Sequence, residues 1–155
     1  MYNKILVPLD GSKLAECVLP HVEALAKGCA VKEVIFARVF EPVRLPNVGE
    51  FVMTEQQAEQ LNAEHKADSE KYLQEVLRKV RMDGVKVSPE LLKDGPVAET
   101  LTEYANQKGV DLIVIATHGR SGVSRWVWGS VADRILRSSC VPVLMVRAPG
   151  CVPGI

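Results

Sequence analysis

Five short apolar runs, separated by stretches of helical periodicity, constrain this chain more than any other feature. The runs are Lys4 to Leu9 (KILVPL), Val31 to Phe40 with EVIFARVF as its body, Val85 to Leu92, Val110 to Ala116 (VDLIVIA) and Val141 to Val146 (VPVLMV). Near-continuous apolar strands suit a parallel sheet covered on both faces, whereas a sheet with one wet face alternates. The order is βαβαβαβαβ, with no tandem repeat, and it predicts an α/β fold with a five-stranded parallel sheet and helices on both faces. Right-handed crossovers restrict the topology, and a doubly wound order of 3-2-1-4-5 follows naturally. Ligands of such sheets bind at the carboxyl ends of the strands, where the winding reverses. The segments concerned are Asp10 after the first strand and Ala116 to Gly122 after the fourth.

The helices between the runs carry local signals. Asp10-Gly11-Ser12 reads as a turn with Ser12 as N-cap, opening a helix to about Lys27. Leu14, Val18, Val22 and Leu25 form its stripe, Pro20 lies inside it as an expected kink, and Gly28 is a natural stop. Glu41 to about Met53 is the longest irregular stretch, of the kind that borders a site. Thr54 and Gln57 read as a capping box for a long helix to about Met82. Its second half turns Tyr72, Leu73, Val76, Leu77 and Val80 inward, while its polar first half is expected to project into solvent, with His65 as a packing histidine. Pro96 stands early in the next helix, whose inward face is Val97, Leu101 and Ala105 and which Gly109 ends. A last helix runs from about Ser130 to Ser138.

A chain of 155 residues is long enough to bury one sizeable core. The expected division is a single domain over 1–147 and a loose tail over 148–155. Lys plus Arg and Asp plus Glu both number 19, and no basic stripe stands out, so nucleic acid is not an expected partner. The N-terminus enters a strand-like run directly, without the layout of a secretory signal, and no apolar stretch is long enough to span a membrane. The expectation is a cytoplasmic protein with no membrane partner. None of the four cysteines has CxxC spacing or a clustered histidine, so no metal site is expected. Two disulfides remain an alternative to reduced, mostly buried thiols; the absent export signal favours thiols, with Cys151 in the Pro/Gly-rich tail the exposed one.

The fourth run leads into ATHGRSGVSRWVWGS, a glycine-bearing loop that ends at a helix start. Glycines admit close backbone approach, and free N–H groups at a helix start, aided by the helix dipole, favour an anion. The loop is neither a GxxxxGK[ST] phosphate loop nor a GxGxxG dinucleotide fingerprint. On the count of Gly119, Gly122 and Gly129 alone, two readings stand: a phosphate site, or a plain loop before an ordinary helix start at Gly129-Ser130. Arg120 and Arg125 are phosphate contacts or solvated charges. Trp126 and Trp128 are a ligand wall or, more in keeping with their loop, residues that pack under the loop or against a partner subunit. His118 has no evident nucleophile to serve as base for and reads as a backbone anchor.

Gly119, nine residues, then Gly129-Ser130 closely resembles the nucleotide loop of the universal stress protein family, whose pattern is G-x2-G-x9-G-[ST]. The likeness includes the opening KILVPLDGS, the run DLIVIATHGRSG, the segment GSVADRILR and the closing VPVLMV, so it spans nearly the whole chain. The resemblance implies a Rossmann-like, adenine nucleotide alpha hydrolase-like fold that binds ATP or AMP, with Mg²⁺ accompanying ATP. It implies that Asp10 contacts the ribose or the adenine edge, and that Val39 flanks adenine through its backbone. Ala116, Thr117, His118, Gly119, Arg120 and Gly122 would form the phosphate loop, and Gly129 and Ser130 would hold phosphate at the helix start. The chain departs from the pattern at Ala116, which replaces its first glycine; a methyl is compatible with close approach where φ is negative.

Hydrolysis of ATP needs a metal placed by acidic ligands and a positioned water. Asp10 is the one carboxylate that the sequence places near the phosphates, and the loop has no lysine. The expectation is therefore no catalytic residue and a regulatory or sensing role in stress response with little or no turnover. The alternatives are a weak ATPase and a nucleotide-free homodimeric interaction module. The SGGxDS loop of an ATP pyrophosphatase is absent after the first strand, and nothing marks a flavin site. Strand five, Val141 to Val146, is short and apolar and falls at an edge, where unprotected strands pair. Family members commonly dimerise there, so the resemblance implies a homodimer through this strand.

Overall fold

The computed structural model describes residues 2–43, 54–93, 95–117 and 129–147. β1 (Lys4–Pro8), β2 (Glu33–Phe40), β3 (Lys86–Lys93), β4 (Leu112–Ala116) and β5 (Val143–Val146) form one parallel sheet in the order 3-2-1-4-5. The helices are α1 (Leu19–Gly28), α2 (Glu55–Lys79), α3 (Val97–Gln107) and α4 (Ser130–Ser138). The chain winds one way from β1 to β3, crosses back over the sheet to β4, and continues to β5. Right-handed crossovers then put α1 and α2 on one face and α3 and α4 on the other.

The core divides accordingly. Ile5, Val7, Val34 and Phe36 meet Val22 of α1 and Leu73 and Val76 of α2. Leu6, Ile35 and Ile113 meet Leu101 of α3 and Ile135 of α4. Alternate residues of one strand thus enter opposite layers, which is why the central runs are apolar at every position: β4 is buried throughout. β3, at the other edge from β5, is only half-buried, and it carries Pro89. Lys86 donates its N–H to Lys32 C=O, so by the alternation of a parallel ladder Pro89, three residues on, turns its ring nitrogen away from β2. No rung is lost, and the outer edge is short of one donor there.

Several local expectations are corrected. The first helix does not begin at Ser12. Ser12 Oγ instead accepts the N–H of Ala15 at 3.1 Å, leading into a short 3₁₀ turn over Ala15–Val18. Pro20 consequently lies in the first turn of α1, where its missing N–H has no intrahelical partner to lose, rather than in a helix interior where it would kink. Gly28 is the last helical residue, not the stop; the left-handed conformation that reverses the chain falls two residues later on Ala30, at φ 51°. Thr54 and Gln57 form the capping box reciprocally, with bonds of 3.3 and 2.9 Å. Cys17 and Cys29 are half-buried and unpaired, and burial raises the Cys17 thiol above its ordinary range; Cys140 is exposed rather than buried. Cys151, the tail over 148–155 and most of the 41–53 loop lie outside the described residues. Among the described residues, no helix is long and apolar enough to cross a membrane.

Candidate functional site

β1 stops early on one side only. Its pairing with β2 continues to Pro8↔Ala37, but its pairing with β4 ends at Leu6↔Ile113. Pro8 has no N–H to extend a ladder. β4 runs on beside β5 to Ala116↔Val146, so the sheet opens between β1 and β4 at its carboxyl end. A cleft of about 660 Å³ occupies this switch point, a size suited to a small organic ligand.

Main-chain groups border the opening on both sides. Leu9 N–H donates to Ala37 C=O at 2.8 Å, the last bond from β1 to β2. Two residues on, Val39 turns its N–H and C=O the same way, past the end of β1 and into the cleft. Ile113 and Thr117 give their N–H groups to Pro142 and Val146 of the β5 side. The alternate residue, Ala116, therefore directs its own N–H and C=O toward β1. Ala116 is extended, and Ala30 is the one non-glycine with positive φ among the described residues, so the extra methyl imposes no backbone strain at this departure from the family pattern.

Asp10 sits at the tip of β1, half-buried. Its Oδ1 accepts the N–H of Ser12 at 2.9 Å, an Asx turn that closes around Gly11. Gly11 adopts φ 90°, a conformation side chains rarely take, and this turn is what swings the chain away and leaves the cleft open. On the far wall, α4 begins at the cleft. Gly129 donates its N–H to Thr117 C=O at 2.7 Å and accepts from Asp133 N–H at 3.0 Å. The first bond clasps the two ends of the 118–128 segment together. It also commits the Gly129 N–H, so the donors at the helix start that have no partner among the described residues are those of Ser130, Val131 and Ala132, all lining the cleft; Gly129 has no side chain to cap them. Asp10, Val39, Ala116, Thr117, Gly129 and Ser130 are thus gathered at one cleft. His118, Gly119, Arg120 and Gly122, with Arg125 and both tryptophans, lie outside the described residues.

A third wall escaped the sequence reading. His65, Asp68, Ser69 and Tyr72 of α2 all line the cleft. His65 and Asp68 are exposed on its rim, so His65 is not a packing histidine; Ser69 is buried and spends its hydroxyl on His65 C=O at 2.7 Å. The Tyr72 ring lies 5.5 Å from the Arg38 guanidinium carbon. Its hydroxyl is buried and makes no well-formed hydrogen bond among the described residues, and burial, followed by the nearby Glu16 and Asp10 carboxylates, raises it far above the ordinary tyrosine range. The i, i+3, i+4, i+7 spacing of these four polar residues was the available signal: it marks one helix face, continuous with the apolar face below it.

A parallel α/β sheet with a cleft at its switch point, framed by strand-end main chain and a helix start, defines the class of doubly wound α/β proteins, whose ligands commonly sit at that position. Within that class, the sequence profile described as the universal stress protein family matches residues 1–147, and the chain belongs to this family. It is similar to a universal stress protein of Methanocaldococcus jannaschii, 32% identical over 151 residues, which cover 96% of this chain and 84% of the relative. A second universal stress protein of that organism is 27% identical; its solved structure superposes with a TM-score of 0.79, covering 97% of this chain and 99% of that one. Two more distant structures share the fold: a universal stress protein in complex with cAMP (20% identical, TM-score 0.67, covering 95% and 98% of the two chains) and an Arabidopsis thaliana family protein with AMP bound (13% identical, TM-score 0.64, covering 96% and 93%).

Proposed function

We propose that the protein binds an adenine nucleotide, ATP or AMP, in the switch-point cleft and serves a regulatory or sensing role in the cytoplasm under stress. The observation that carries this reading is the placement of unlike binding groups at opposite ends of one cleft. The Val39 main chain offers a donor and an acceptor to a base edge. Asp10, between the walls, suits ribose hydroxyls. The Ser130, Val131 and Ala132 N–H groups at the α4 start suit phosphate. That two proteins of this fold are complexes with cAMP and AMP supports the same ligand class. Mg²⁺ would arrive on the phosphates of ATP, since no group of three His, Cys, Asp or Glu among the described residues is placed to cage a metal. Turnover is little or none in this reading. Two copies pair through β5.

Isothermal titration with ATP and AMP tests this. Binding is expected for the wild type and is lost in Gly129→Val. Gly129 has φ −50° and ψ 130°, which valine adopts readily, so the fold survives while an isopropyl group crowds the phosphate end. Absence of heat and of co-purifying nucleotide in the wild type would establish the interaction-module reading instead. Phosphate release above background that disappears in Asp10→Ala would establish an ATPase.

A further inference from the structure

The main chain of Val39 does not by itself choose a base. Its N–H and C=O satisfy adenine through N1 and the 6-amino group. They satisfy hypoxanthine equally well through O6 and N1–H. Discrimination between an amino purine and an oxo purine needs a side chain at that end of the cleft. α4 cannot supply it, because it lies on the opposite face of the sheet from α2 and begins beside β4. α2 packs over β2 and β3 on the Arg38 side, so its cleft-facing stripe stands over the strand end that carries Val39.

The side chains of that stripe differ in what they have to spare. Ser69 is committed to His65 C=O. The Tyr72 hydroxyl is buried beside Glu16 and Asp10. Asp68 lines the cleft, is exposed, and makes no hydrogen bond or ion pair among the described residues. An ionised carboxylate only accepts hydrogen bonds. It matches the second hydrogen of a 6-amino group and repels a 6-oxo oxygen. We propose that Asp68 is a specificity-determining residue of the cleft, favouring 6-amino over 6-oxo purine nucleotides by accepting from the amino group. The inference rests on the nucleotide reading above and adds a residue to it.

Titration of ATP and of ITP into the wild type and into Asp68→Asn tests it. Asparagine keeps the shape and adds a donor that a 6-oxo group accepts. The wild type is expected to bind ATP about tenfold or more tightly than ITP, and Asp68→Asn to shrink that ratio at least severalfold by weakening ATP and strengthening ITP, in line with a charge-assisted bond replaced by a neutral one. Asp68 is exposed and makes no hydrogen bond or ion pair among the described residues, so thermal melting of the variant should match the wild type. If ATP binds and the ATP-to-ITP ratio is the same in both proteins, the Asp68 assignment is wrong while nucleotide binding stands. If neither nucleotide binds the wild type, the nucleotide reading fails and this one falls with it.

Discussion

Glu33, the first residue of β2, ties three strands together at the end of the sheet remote from the cleft. Its Oε1 accepts from Lys86 Nζ of β3 at 2.7 Å, and its Oε2 pairs with Lys4 Nζ of β1 at 3.2 Å. The hydrogen bond from Lys86 holds the Glu33 carboxyl below the usual carboxylate range; partial burial pulls the other way and Lys4 adds to the lowering. A carboxyl that is more acidic folded than unfolded binds fewer protons in the native state, so its contribution is present above its ordinary value of 4.5 and fades as the pH falls below it. Glu33→Gln should therefore cost about 1 kcal/mol at pH 7. The gap between variant and wild type should close toward pH 3 in urea titrations, and a gap that stays constant from pH 7 to pH 3 would refute the assignment. No residue of this triad is marked in the sequence, because Lys4, Glu33 and Lys86 are brought together only by strand order and register. Asp68 was hidden for a related reason. A charged residue on a polar helix normally faces solvent, and nothing local says that the solvent it faces is a cleft.

At the scale of elements, the signals that survived are those whose physics is local. The Thr54–Gln57 box closes within one turn, and α4 starts at Ser130 because Gly129 is extended and its C=O receives the first helical bond from Asp133. The signals that slipped are those that depend on where the chain has to go. A proline in an apolar stripe looks like a kink until the helix around it is found to begin one residue earlier. Gly28 looks like a stop until the turn into β2 places the left-handed residue at Ala30. That position carries a cost of about 1–2 kcal/mol for a residue with a β-carbon. Part of it is recoverable, since glycine also loosens the unfolded chain. Ala30→Gly is thus expected to raise stability by about 0.5–1 kcal/mol, read as a higher urea midpoint at unchanged slope. An unchanged or lower midpoint would show that the turn tolerates alanine without strain. Strand identity and order were legible because apolar runs fix the faces; the cleft itself was legible only as a location, since the one-sided end of β1 depends on which neighbour Pro8 faces.

For the molecule as a whole, the two edges of the sheet are unlike. At the β5 edge, Ile113 N–H goes to Pro142 C=O and Thr117 N–H to Val146 C=O, so the intervening Val143 and Met145 turn their own N–H and C=O groups outward. Leu144 is exposed beside them. This is the surface proposed for pairing. Met145→Pro removes one outward donor and none of the bonds to β4, so it should leave the fold cooperative and convert a dimer into a monomer in sedimentation velocity at micromolar concentration. A wild type that sediments as a monomer would remove the pairing proposal altogether.

The opposite edge carries Pro89, whose ring nitrogen points outward. A sheet with two receptive edges is a monomer in the polymer chemist's sense: each added copy exposes a fresh end, and growth continues into a filament. A sheet with one edge weakened in this way favours shorter assemblies. In the pairing proposed above, two copies joined through β5 would present Pro89 at both of their outer ends, where its missing donor works against the addition of a third.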